Sequence, residues 1–187
     1  MKKHLLTALF VALAATAFAD RPSTDELAIR LGVQSWFSAR SWSNGKFNFA
    51  KLQSIYCPDL EFSEKSAGGT ATKRGLSAYT AMMKPIVEQV QKLAAKPGDD
   101  VRVTLQGATA TTTFSFQPQG TYKDGRAVTC SAHVTLTWER HNGLWQIARE
   151  ETVPLGRVTI SRPSTSPPGA PAAARRKPCR ASRRCSR

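Results

Sequence analysis

Near its C-terminal end the chain carries two opposite charges where a strand pattern calls for apolar side chains. Trp145 and Ile147 alternate, and counting on by twos reaches Arg149 and Glu151. Successive strand residues face opposite sides, so both charges fall on the apolar side. A charge there is costly unless it is paired or wet. Two readings stand. Arg149 and Glu151 could line the open end of a cavity as a polar pair fit for acid–base work. Alternatively, a β-bulge shifts the register and turns both to solvent. Glu64 is a third candidate for proton transfer, because a carboxylate in an apolar pocket has its pKa raised and can shuttle a proton near neutral pH. Glu64 also borders a Gly-containing loop, where solvated acids are common, and that reading is favoured.

Other chemistries find little support. Of the three His, His4 falls in the leader, His141 in a turn, and His133 alternates with Thr129, Ser131, Thr135 and Thr137, away from the apolar side. That argues against a His-based triad or a multi-His metal site. The four Cys (Cys57, Cys130, Cys179 and Cys185) form no C-x-x-C pair and have no zinc spacing. There is no Gly-rich phosphate loop opening a helix and no dinucleotide fingerprint. No metal and no cofactor are therefore expected. In an oxidising compartment Cys57 and Cys130 could form a disulfide, or each could simply be a buried thiol.

The elements that must hold these residues can be read in order. Lys2 and Lys3, the apolar run Leu5 to Phe18 and Ala17-Phe18-Ala19 form a signal peptide, residues 1–19. The run is too short to span a bilayer, which needs about 20 residues. The mature protein is expected to start at Asp20 and to be exported, periplasmic or secreted, with no membrane anchor after cleavage. Ser23 and Glu26 make a capping box. Ile29, Val33, Trp36 and Phe37 follow on one helical face, up to a stop near Ser43-Asn44-Gly45. A short helix over 48–56, a strand over 60–63, a loop over 65–73 and a third helix over 76–95 come next. Pro85 should kink or break that third helix. Strands over 101–105 and 110–116 precede two alternating runs within 127–153 that flank a short polar turn, His141-Asn142-Gly143, whose Asn-Gly is a strong hairpin signal. Helices followed by an antiparallel meander give an α+β domain over 20–156.

The charge is uneven. The chain has 27 Lys and Arg against 13 Asp and Glu, a formal net charge of +14. Nine of the basic residues and no acid lie in 157–187, a stretch rich in Pro, Ser and Ala that reads as a disordered tail. The stretch 20–156 is nearly balanced, so the folded domain gives no argument for nucleic acid.

Several of these segments together resemble a known family. They are Trp36-Phe37, Tyr56-Cys57-Pro58-Asp59-Leu60-Glu61-Phe62, Arg74-Gly75-Leu76 with Tyr79, and Asn142 through Glu150. Their order and spacing are similar to the SnoaL-like branch of the nuclear transport factor 2-like superfamily. The resemblance implies a cystatin-like cone: a curved antiparallel sheet wrapped around three N-terminal helices, open at one end, and frequently a homodimer through the sheet. It implies a pocket lined by Trp36, Tyr56, Phe62, Tyr79 and Met83, and on the sheet by Phe114, Phe116, Trp138 and Trp145. Ordinary core packing is the competing reading for most of them, with Tyr56 and Tyr79 the strongest pocket candidates because a buried hydroxyl wants a partner. Glu64 falls near where ketosteroid isomerase-like members place a general base, but no paired tyrosine and acid is evident beside it. The superfold hosts isomerases, dehydratases, cyclases, epoxide hydrolases and binding domains, so fold does not choose among them. Three classes remain: a binder of a small, mostly apolar molecule, which is preferred; a cofactor-free acid–base enzyme using Glu64, Arg149 or Glu151; and a dimeric scaffold.

Overall fold

A computed structural model describes residues 22–66 and 68–162. The expected signal peptide, His4, Cys179, Cys185 and most of the basic tail lie outside the described residues.

Helix α1 (Thr24–Ala39) starts where the capping box places it: Ser23 Oγ accepts from the Glu26 amide at 3.1 Å. It ends four residues before the expected stop. A short α2 (Phe49–Gln53) follows, then strand β1 (Tyr56–Ser66). Tyr56 thus opens a strand rather than closing a helix. The expected loop over 65–73 is largely a strand, β2 (Gly69–Arg74), which folds back on β1 from Ser66↔Gly69 to Glu61↔Arg74. Glycine and Thr had suggested a loop, but pairing to β1 satisfies the backbone.

Helix α3 (Leu76–Gln89) runs through Pro85 without a break and stops six residues short of expectation. Val90–Ala94 instead forms β3. Val90 and Leu93 stand three apart, a helical spacing, but a register shift between Val90 and Lys92 lets both pack in the same cluster from a strand. Gly120 lies against β3 so closely that a Cβ there would come within 2.6 Å of the Lys92 carbonyl oxygen.

The remaining strands are β4 (Arg102–Gln106), β5 (Thr109–Phe116), β6 (Gln119–Tyr122), β7 (Ala127–Thr129), β8 (Ala132–His141), β9 (Leu144–Pro154) and β10 (Thr159–Ser161). Six form one sheet in the order β2-β1-β9-β8-β5-β4, and four form a second, β10-β7-β6-β3. The architecture is α+β, with a curved sheet against the helices. Two details depart from the antiparallel meander. Strands β1 and β9 pair in parallel. The first run of the long hairpin is cut at Cys130-Ser131, where the chain leaves the small sheet for the large one. Strand β10 also falls inside the stretch expected to be disordered: Thr159–Ser161 pair with β7.

The Asn142-Gly143 turn forms as expected, with both residues at positive φ (52° and 82°). The main core joins Ile29, Val33, Trp36 and Phe37 of α1 to Tyr56, Leu60 and Phe62 of β1, Tyr79 and Met83 of α3, and Phe114, Leu136, Trp138 and Ile147 of the sheet. A smaller cluster of Trp42, Val87 and Val90 closes the end near β3.

Candidate functional site

The inner face of β9 carries an acid, but a different one from those expected. Trp138 pairs with Ile147 and Thr137 with Arg149, so Ala148 is an extra, unpaired residue on β9. This bulge reverses the alternation after Ile147. Arg149 turns outward and is exposed, 3.4 Å from Glu61. Glu151 also lies on the outer face, in an ion pair with Lys65 at 2.5 Å. The bulge reading of this pair is therefore the observed one, and the residue between them, Glu150, points into the core at 1 % exposure. Glu64 shares the Phe62 side of β1 but is exposed, beyond the covered part of the sheet. The structure does not bring Glu64, Arg149 and Glu151 together in a pocket.

What converges instead is a buried cluster around Glu150. Arg40, immediately after α1, is 9 % exposed and pairs with Glu150 Oε1 at 2.5 Å. Arg40 lies four residues beyond Trp36, on the apolar stripe of α1. From Nη2 it also donates to the Tyr56 hydroxyl at 2.9 Å and to the Tyr79 hydroxyl. The Trp36 indole N–H donates to Tyr56 at 2.9 Å and to Glu150 Oε2 at 3.1 Å, and the Tyr56 hydroxyl donates to the same carboxylate oxygen. The guanidinium lies over the Trp36 ring, 4.1 Å from its centroid, with the Tyr79 ring at 5.6 Å. Arg40 Nε is buried and has no hydrogen-bond partner among the described residues.

The electrostatics assign states to these groups. Burial pushes the Tyr56 and Tyr79 hydroxyls well above their ordinary value, and Glu150 acts in the same direction; the Arg40 charge opposes both but does not prevail. Both tyrosines are therefore neutral phenols at physiological pH, Tyr56 donating to Glu150 and Tyr79 accepting from Arg40. Burial disfavours the Arg40 cation, yet Glu150, Tyr56 and Tyr79 more than offset this and its pKa is raised. The site is a neutral whole: one cation, one carboxylate, the Trp36 indole and two neutral phenols, enclosed by aromatic rings. Such a cluster can hold and orient a polar group. Tyr56 and Glu150 are in contact, but the carboxylate accepts from the hydroxyl and pairs with Arg40, so the two do not form a pair of donors.

Among the nine expected pocket residues, Trp36, Tyr56 and Tyr79 belong to this cluster. Phe62, Met83, Phe114 and Trp138 are buried around it in the same core. Phe114 and Phe116 pack edge-on to Trp36, each with ring centroids 5.1 Å away. Trp138 gives its N–H to Thr112 Oγ1 at 3.0 Å, a partner within the sheet. Trp145, only half-buried, hydrogen-bonds Asp25 at 3.2 Å near the start of α1, away from the cluster. Cys57 and Cys130 are free thiols rather than a disulfide. Sequence reasoning missed Arg40 and Glu150. Arg40 was detectable as a cation on an apolar helical stripe; Glu150 was hidden by the bulge.

A model of the SnoaL-like domain matches residues 21–151, and the chain belongs to this family, within the nuclear transport factor 2-like superfamily. Solved structures share the fold. A proposed aromatic ring hydroxylase from Novosphingobium aromaticivorans is 20 % identical over 76 % of this chain and 96 % of its own, with a TM-score of 0.64. A hexachlorocyclohexane dehydrochlorinase (LinA, type 2) is 19 % identical over 78 % and 97 %, TM-score 0.60. A proposed scytalone dehydratase from N. aromaticivorans is 14 % identical over 75 % and 93 %, TM-score 0.61. No curated protein matches the sequence significantly.

Proposed function

We propose that the protein binds a small, mostly apolar molecule inside the cone, with the molecule's polar group held at the Arg40–Tyr56–Tyr79–Glu150 cluster. The observation that supports this reading is the convergence of five polar side chains from α1, its C-cap, β1, α3 and β9 on one point of an aromatic core. Apolar walls with a few convergent polar groups are the usual form of a small-molecule site. Met83 is part of the surrounding core and is the kind of side chain that repacks readily around a guest. The test is a titration with toluene and with the neutral dye N-phenyl-1-naphthylamine, followed through indole N–H signals. A saturable shift of the Trp36 signal with either compound, with Trp145 unmoved, is the expected result. No saturable shift at Trp36 with either overturns the reading.

A second reading, an acid–base enzyme of elimination type, is favoured by the Tyr56–Glu150 contact and by the dehydrochlorinase and dehydratase among the structures of like fold. In that case Glu150 would take the proton and Arg40 or Tyr79 would stabilise the leaving group. Three donors already occupy the Glu150 carboxylate, so one of them must move before a substrate proton can reach it. Loss of chloride from hexachlorocyclohexane or of water from scytalone, abolished by Glu150→Gln, would establish this reading over the first. Turnover of either that survives Glu150→Gln unchanged would remove Glu150 from the chemistry and overturn this second reading.

A further inference from the structure

The Arg40 side chain says more about the guest than its place in the cluster. All of its described hydrogen bonds leave from Nη2, while Nε–H is buried without a partner among the described residues. A buried donor left unmet costs as much as a lost hydrogen bond, so native structures rarely keep one without a use. The Trp36 ring lies over the guanidinium at 4.1 Å, and the Nε–H bond points outward in the plane of that group. An acceptor must therefore approach in the guanidinium plane. Charge decides what kind of acceptor this is. Glu150 already neutralises Arg40 at 2.5 Å, so a second anion would leave a net negative charge in the core, at high cost. A neutral oxygen meets the donor without that cost.

We propose that the guest presents a neutral carbonyl oxygen (ketone, aldehyde or ester) to Arg40 Nε, so that the ligands of this protein are uncharged, mostly apolar carbonyl compounds. This rests on the reading of the cone interior as a binding site. Three probes of one shape separate the possibilities: acetophenone, its hydrocarbon isostere α-methylstyrene, and benzoate. Acetophenone is expected to bind about ten-fold more tightly than α-methylstyrene, as one hydrogen bond to a charged donor implies, and benzoate more weakly than acetophenone. The infrared carbonyl stretch of bound acetophenone is expected to fall below its value in an apolar solvent. Arg40→Lys keeps the charge opposite Glu150 but removes Nε–H, and is expected to bring the ketone-to-hydrocarbon ratio to about one. Equal binding of ketone and hydrocarbon by the wild type would mean that Nε is met by a buried water alone; it would sink the carbonyl inference and leave the binding site standing. Tightest binding by benzoate would also overturn it, in favour of an anion site. If none of the three binds, the site reading falls as well. The wild-type comparison and the infrared shift decide the matter even where Arg40→Lys fails to fold.

Discussion

Arg40 and Glu150 are expensive residues to bury, and their mutual attraction repays the desolvation only because Tyr56 and Trp36 also serve the carboxylate. Removing one partner should therefore hurt more than removing both. Arg40→Met alone is expected to cost about 3–5 kcal/mol in urea unfolding, and Arg40→Met with Glu150→Leu to recover much of it. Additive losses would show that the two act independently. Arg149→Ala and Glu151→Ala, on the outer face, should each stay within about 0.5 kcal/mol of the wild type. The raised hydroxyls also set a pH dependence. The folded state holds the Tyr56 and Tyr79 protons to higher pH than the unfolded chain does, so their contribution is complete below the ordinary tyrosine value of 10 and is lost as pH rises beyond it. Cys57, pushed up to about 11 by burial and by Asp59 and Glu139, starts earlier, above its ordinary 9. Urea midpoints should be flat between pH 7 and about 8.5 as far as these groups are concerned, and should fall above that. Cys57→Ser should reduce the first part of the fall, which Cys130, also pushed up by burial, shares, and Tyr79→Phe some of the later part. An alkaline limb unchanged by both substitutions would contradict this assignment.

At the scale of elements, one bulge determines which acid enters the core. Without Ala148 as an extra residue, strict alternation from Ile147 would have put Arg149 and Glu151 inside. The helix facing this strand pair has its own requirement. A Cβ on Gly32 would come within 2.7 Å of the Trp138 ring, so α1 lies as close to β8 as a glycine allows. Gly32→Ala is expected to destabilise by about 1–3 kcal/mol through overpacking, despite alanine's better helix propensity. A thermal scan showing stabilisation would mean that Trp138 moves aside freely. The ends of α1 and α3 were harder to read. α3 gives way to β3 because Gly120 of β6 admits a close backbone neighbour, a condition set thirty residues downstream.

At the scale of the molecule, the outer face of the large sheet is a Thr surface. Thr111 lies opposite Thr137 and Thr113 opposite Thr135, all half-buried. The homodimer implied by the family resemblance would use this face. The expectation is a dimer in sedimentation velocity, shifted to monomer by Thr113→Arg with Thr135→Arg; a wild-type monomer at all accessible concentrations would refute it. No helix among the described residues is long and apolar enough to cross a membrane.

The sequence alone determined whatever depends on local geometry and periodicity. The capping box started α1, Asn142-Gly143 made the hairpin, and the aromatic stripe of α1 with the alternating strands defined an α+β core. It also pointed to Tyr56 and Tyr79, because a phenol in an apolar pattern wants a polar partner. The tertiary structure decided the identity of that partner. A strand's facing is fixed by its pairing register, and a single unpaired residue inverts it over the following positions. Glu150 was exchanged for Arg149 and Glu151 in this way, and Arg40, at the far end of a helix, became its counter-ion across more than a hundred residues of chain.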